Sequence, residues 1–229
     1  MANGQNQPWG LKAVRTIGSA TWNGQTNPYL IAPAGVAGTP AVSIFKGDPV
    51  YLNAQGYISS IFDGVFTQGI AGTAANYPIL GVFDGCSYRQ FAAQNPIDPA
   101  SPGRQYWPWN TSTPQNLPAI AYIIDDPNTV YNIQSSGILL TQGQARLVGN
   151  LVSPGNNGGG NQSLGGNTST GQSYCAVNPT TVATANNPTG SVKMLGLSNV
   201  PIPATATQYN NGEFIIQNSF FISRPASVN

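Results

Sequence analysis

Between Ile44 and Ile61 the chain reads IFKGDPVYLNAQGYISSI, short apolar runs divided by turn residues. Gly47-Asp48-Pro49 interrupts the first run, because Gly tolerates positive φ and Pro removes a donor while fixing φ. Val50-Tyr51-Leu52 is apolar and partly β-branched, Asn53 to Gly56 has turn chemistry, and Tyr57-Ile58 resumes the strand. The pattern predicts strand, turn, strand, turn, strand. Pro78 to Phe83, PILGVF, supplies a further strand able to pair with it. This unit reads as the rim and wall of a β-barrel or sandwich.

The same grammar recurs along the chain. Leu11 to Ile17 alternates imperfectly as a first strand, and Asn23 to Pro28 forms a turn cluster before Tyr29-Leu30-Ile31. Pro33 to Pro40 reads as loop, Val65-Phe66 as a short strand, and Gly69 to Asn76 as loop. Ala119 to Asp125 is continuously apolar and predicts a strand buried on both faces. Asp126-Pro127-Asn128 turns it and Thr129 to Gln134 returns, the strongest hairpin signal in the sequence. Ala145 to Val152, Ser191 to Leu197 and Gly212 to Ile222 complete the set. The last has apolar residues on both faces and so predicts a central or covered strand. No helix of ten or more residues and no fixed-period repeat is evident. The fold expected is mainly β: a single antiparallel β-barrel or jelly-roll-like sandwich over 19–229, with an extended N-terminal arm over 1–18 and long loops.

Two stretches depart from strand grammar. Residues 93–118 carry six prolines with Tyr106, Trp107 and Trp109, which excludes a long helix or central strand. The segment either wraps its own barrel or presents an aromatic contact patch, Trp and Tyr being typical interface anchors. Residues 153–173 are rich in Gly, Asn, Ser and Thr and read as a low-complexity, mobile or solvent-facing loop. No Gly-Lys-Ser/Thr follows its glycines, so a phosphate loop is excluded.

Composition sharpens the picture. In 229 residues, hydrophobic content is 40% and charged content only 7%, against roughly 25% charged in ordinary soluble domains. A core is available, and the surface must be uncharged and polar. The eight Lys and Arg are scattered and the net charge is +1, which argues against nucleic acid, whose phosphates need several cations on one face. Partners must be held by apolar packing and backbone hydrogen bonds, with little dependence on salt. The N-terminus, MANGQNQ, lacks a basic and then apolar leader, and no run has the length of a membrane helix. Synthesis and first folding in a cytoplasm, without membrane association, are expected.

Chemistry is sparse. The chain has no histidine, which removes the commonest general base and metal ligand and any Ser-His-Asp or Cys-His arrangement. Asp48, Asp63, Asp84 and Asp126 directly precede Gly or Pro, a turn signature. Adjacent Asp125 and Asp126 would point to opposite faces of a strand. Cys86 and Cys175 read as buried thiols, with a disulfide as the alternative. No catalytic, cofactor or metal residues are expected, and the chain is not expected to be an enzyme. Contact residues are sought instead in Pro8, Trp9 and Leu11 and in Tyr106, Trp107 and Trp109. Ordering backbone costs about 1–2 kcal/mol per residue, and one buried Trp returns roughly 4–6 kcal/mol. Trp9 alone therefore cannot order the arm. The arm is loose or pairs along a neighbour's sheet edge, unless Trp9 tucks against its own barrel.

The order of motifs carries a resemblance. Pro8-Trp9-Gly10-Leu11-Lys12-Ala13-Val14-Arg15 is followed by Trp22-Asn23-Gly24-Gln25 and by Lys46-Gly47-Asp48-Pro49-Val50-Tyr51-Leu52. Ile79 to Phe83 comes next, and then Asp125 to Tyr131 with Gln134. Over residues 1–135, and more loosely beyond, this resembles the head-associated structural proteins of tailed bacteriophages, in particular decoration (cement) proteins. The resemblance implies a β-rich, homotrimeric or homodimeric protein on the outer capsid surface, seated between major capsid proteins and stabilising the expanded head. It implies no active site. Another virion part, such as a head fibre, tail or receptor- or glycan-binding protein, is the alternative.

Overall fold

The computed structural model describes residues 9–18, 20–33, 35–63, 78–87, 104–109, 119–136, 148–152, 165–178, 191–198, 210–217 and 219–221. Pro8, the strand expected at Val65-Phe66, the loop Gly69 to Asn76 and most of 93–118 lie outside them. The elements, in chain order, are β1 (Lys12–Thr16), β2 (Asn27–Ile31), β3 (Ile44–Phe45), β4 (Pro49–Leu52), β5 (Ile58–Ser60), β6 (Ile79–Ser87), β7 (Tyr106–Trp107) and β8 (Ala119–Ile124). They continue as β9 (Thr129–Gln134), β10 (Val148–Val152), β11 (Gly166–Asn167), β12 (Gln172–Ser173), β13 (Ala176–Asn178), β14 (Val192–Leu197) and β15 (Asn211–Ile216). The protein is mainly β, as its apolar runs predict.

Two sheets dominate, and their ladders are antiparallel. One runs β1-β9-β15-β14-β10-β13 and the other β2-β8-β6-β4-β5. Their facing sides enclose one core, with Tyr131, Ile133, Phe214, Ile216, Val192 and Met194 from the first sheet against Tyr51, Ile79, Val82 and Ile124 from the second. Leu80, Phe83 and Cys86 of β6 lie on the opposite side, at a three-residue spacing that strict alternation forbids and that the register shifts of β6 against β4 at Leu80 and against β8 between Phe83 and Gly85 allow. There they join Ile31, Val50, Ile58, Ala121 and Ile123 in a second core, capped by Ile44 of β3 and Trp107 of β7. The second sheet is thus buried on both faces around β4, β6 and the end of β8, a sandwich with an additional apolar layer, while β2 leaves Leu30 exposed. No ladder closes either sheet into a barrel among the described residues.

Several expectations hold in detail. β6 pairs with β4 and β4 with β5, as the opening pattern requires. β15 lies between β9 and β14, the covered position its two apolar faces imply. Pro28 falls inside β2, which is tolerated because β2 is an edge strand.

Others need correction. β8 and β9 do not form the predicted hairpin: β8 pairs with β2 and β6, whereas β9 pairs with β1 and β15. The Asp125–Asn128 turn carries the chain from one sheet to the other. The expected arm over 1–18 is part of the fold from Trp9 onward. Lys12 and Ala13 oppose Asn132 and Tyr131 of the same chain, and Leu11 is buried in the first core. Within the loop expected over 153–173, residues 165–173 form the β11–β12 hairpin, with Gly166 and Ser173 buried. A Cβ on Gly166 would lie 2.3 Å from the Phe45 ring, so glycine here permits close packing and does not mark a free loop. The strand expected to run through Ile222 ends at Ile216, leaving Phe220 and Phe221 exposed.

Candidate functional site

Four backbone residues, Phe45 to Asp48, hold the ends of the elements that surround the candidate site. Gly47, at φ 93°, accepts a hydrogen bond from Leu11 N at 2.9 Å and donates to Phe83 O at 2.8 Å. That positive φ suits glycine. Lys46 N donates to Gln105 O and Gly171 O, and Lys46 O accepts from Ser173 N. Asp48 accepts from Phe45 N at 2.8 Å through Oδ2, and from the Ser173 hydroxyl through Oδ1. Ser173 Oγ in turn accepts from Cys175 N at 2.8 Å. Asp48 is 1% exposed, and burial pushes its carboxyl up to about 7 against the lowering effect of the two donors. The residue is a turn residue, as its Gly-Asp-Pro context says, and also a buried polar clip to the β11–β12 hairpin.

Beside this hub lies a cleft of about 570 Å³. Its lining includes Trp9, Leu11 and Ala13 from the start of the chain, Trp22, Lys46, Asp84, Asn132 of β9 and Asn211 of β15. Lys46 Nζ lies 2.8 Å from Asp84 Oδ1, so the charges at this wall are mutually paired. Trp9 Nε1, Asn132 Oδ1 and Asn211 Oδ1 are withdrawn from solvent without a hydrogen-bond partner. Asn132 uses its Nδ2 to donate to Ser198 Oγ at 2.9 Å. Buried polar atoms are ordinarily satisfied, and each exception calls for a water, ion or other partner.

A second hollow, of about 480 Å³, shares Trp22 and is lined by Thr16, Thr21, Asn23, Gln25, Asn27, Asp125, Asp126, Pro127 and Phe221 among others. Asn27 Nδ2 and Tyr29 OH donate to the Asp125 carboxylate, the latter at 2.6 Å. Burial and then this carboxylate raise the Tyr29 phenol above its ordinary range. Asp126 Oδ1 accepts from Asn128 N at 2.9 Å, the Asx turn its position before proline implies. Asp125 and Asp126 therefore serve different partners and do not form a pair. Among the described residues no group of three or more His, Cys, Asp or Glu could hold a metal ion, and no helix is long and apolar enough to cross a membrane.

The residues singled out from sequence separate in space. Trp9 and Leu11 meet at the cleft, with Leu11 otherwise in the core. Tyr106 stacks on Phe45, with ring centroids 5.4 Å apart. Trp107 is 3% exposed within the second core, so it cannot serve as a surface anchor without unfolding. Trp109 packs against that core and its amide donates to Ser43 Oγ at 2.8 Å. These described aromatics clasp their own chain. Asn132 and Asn211 were missed because nothing in their local sequence marks them: they come together only through the pairing of β9 with β15. The missable signal was Trp22 beside the Asn-Gly turn, a large aromatic in a polar context.

Compared with family models, with curated proteins and with solved structures, the chain finds no match in any of the three.

Proposed function

We propose that this chain is a capsid decoration (cement) protein, a non-enzymatic homo-oligomer of the virion that binds the outer surface of a tailed-phage head between major capsid proteins. The observation that carries the reading is an apolar but nearly uncharged exposed surface. Leu30 is 49% exposed, and Ile17, Val36, Phe220 and Phe221 are similarly open. Leu30 opposes Ile120 and Pro28 opposes Tyr122, which places these four on one face of the second sheet. With 7% charged residues, such a surface suits association by packing and backbone hydrogen bonds. The order of sequence motifs, which resembles that of decoration proteins, supports the same reading.

A cement acts through many identical contacts on a symmetric lattice, where effective concentration multiplies modest affinity. The test is co-sedimentation of purified protein with expanded phage shells that lack it. Stoichiometric binding is expected, together with loss of at least tenfold in affinity for Leu30→Asp at unchanged Tm. Failure of the wild-type protein to bind shells overturns the proposal.

A further inference from the structure

The turn after Trp22 carries a reactive pair, and we infer that Asn23-Gly24 is a site of spontaneous deamidation and isoaspartate formation. Asn is followed by Gly at Asn3, Asn23, Asn157 and Asn211. Asn3 and Asn157 lie outside the described residues. In the reaction the Gly amide nitrogen attacks Cγ of its own Asn neighbour. A C–N bond forms, the Cγ–Nδ2 bond breaks, and the amide proton leaves with Nδ2 as ammonia. Water then opens the cyclic imide at either carbonyl, giving aspartate or its β-linked isomer. No oxidant and no second protein is needed. Two things govern the rate: how readily the backbone nitrogen loses its proton to solvent, and how freely it swings onto the side chain. Glycine allows that swing because it has no Cβ.

The two described pairs differ in both respects. Asn23, Gly24 and Gln25 are all exposed. Gly24 has a φ of 82°, and no other part of the chain lies within 4 Å of its Cβ direction. Its N–H has no hydrogen-bond partner among the described residues. A single Asx hydrogen bond, from Gln25 N to Asn23 Oδ1 at 3.1 Å, holds the side chain. An exposed turn with that one restraint opens readily. Asn211 instead sits in β15 between β9 and β14, and its neighbour Gly212 is buried opposite Ile133 and Leu197. Ladders on both sides fix the extended backbone there, so the Gly212 nitrogen cannot turn onto the side chain without opening the sheet. The fold thus exposes one pair and protects the other. Location gives the exposed pair its consequence. Asn23 lines the hollow that holds Asp125, Asp126 and Phe221, and conversion adds a carboxylate there, in a chain of net charge +1. The two existing carboxylates oppose loss of the Gly24 proton, but solvent screens them across an exposed hollow. The reaction needs no capsid, so this inference and the proposed function fail independently.

The test is peptide mapping of the folded full chain after storage at mildly alkaline pH, which favours loss of the amide proton. Trypsin releases residues 16–46, in which Asn23 alone precedes Gly; Asn27 precedes Pro28, whose nitrogen has no proton to lose. Fragment spectra are expected to place the mass change from –NH2 to –OH at Asn23, with isoaspartate in the product. The rate is expected to exceed that at Asn211 at least tenfold, and the two rates to converge in denaturant. Asn23→Ser, whose hydroxyl can still accept from Gln25 N, is expected to abolish the change in this peptide at unchanged Tm. If that variant does not fold, the comparison of Asn23 with Asn211 in the wild-type chain decides alone. An Asn23 that stays intact in the folded protein overturns the inference, as do equal rates at the two sites before denaturation. A difference that persists in denaturant would trace to local sequence, and a change that persists in the Asn23→Ser peptide would trace to another residue; either overturns it as well.

Discussion

Asp48 shows how one residue can be correctly typed from sequence and still be underestimated. Its Gly-Asp-Pro setting announces a turn, and the turn is there. The sequence carries no sign that Ser173, far along the chain, closes over the carboxylate. The consequence for stability has a definite sign. The folded-state carboxyl lies at about 7, above the ordinary carboxylate value of about 4, so folding takes up a proton between those limits. The stability contributed is fully present below about pH 4 and is lost as pH rises to about 7. Three pH units correspond to about 4 kcal/mol as a ceiling. Asp48→Asn keeps an acceptor for Phe45 N and a donor for Ser173 Oγ without the charge. Its Tm relative to wild type should rise by several degrees between pH 4 and pH 8, measured by calorimetry. Parallel curves for the two proteins would remove Asp48 as the titrating group.

The two cysteines make a second residue-scale prediction. Both are free and fully buried, Cys86 in one core and Cys175 in the other, so the buried-thiol expectation holds and the disulfide alternative does not. Burial pushes the Cys86 thiol up to about 12 despite nearby Arg104, and burial with Asp48 raises that of Cys175. A thiolate is the reactive form. Folded protein at pH 8 should leave Ellman's reagent unreacted over minutes, and both thiols should titrate once denaturant is added. Rapid reaction of one equivalent without denaturant would contradict this burial.

At the scale of elements, local strand and turn signals were legible and pairing was not. Apolar runs located β4, β6, β8, β9 and β15, because short strands need β-branched and aromatic residues whatever their partners. Partner choice failed at β8 and β9, where adjacency and the Asp-Pro turn favoured a hairpin. The reason lies in Gly81. A Cβ there would sit 2.2 Å from Ile124 O and 2.9 Å from Asp125 Cα, so the end of β8 crosses directly against β6 as it leaves for the other sheet. Only a residue without a side chain permits that approach. Gly81→Ala forces backbone apart and is expected to cost about 3 kcal/mol, the upper end for overpacking. Chemical denaturation measures it, with Gly56→Ala as a contrast: that glycine has a positive φ and open space around its Cβ direction. Equal costs at the two sites would show that backbone strain matters and the crossing does not. The candidate cleft was illegible for a related reason. Trp9, Asn132 and Asn211 are brought together by the β1-β9-β15 register, a pairing of distant segments that no local pattern encodes.

For the whole molecule, the decisive property is an exposed surface that is apolar and polar but scarcely charged. Of the few charges, Arg15 and Glu213 pair at 2.7 Å and Lys46 and Asp84 at 2.8 Å. These partly exposed pairs are worth at most about 1 kcal/mol each, yet they withdraw charge from any partner. The screening length falls from about 10 Å at 0.1 M salt to about 3 Å at 1 M. Docking by opposed charges would lose affinity steeply over that range. The capsid docking proposed above, through Leu30, Ile120 and the Phe220-Phe221 end, gains nothing from charge and should not weaken. Occupancy on isolated shells, followed by sedimentation across that range of sodium chloride, is therefore expected to change less than about twofold. A retained or slightly increased occupancy at high salt also fits, since apolar association is not screened. Loss of most bound protein by 1 M salt would mean that the scattered cations make the contact, and would overturn the apolar face as the proposed docking surface.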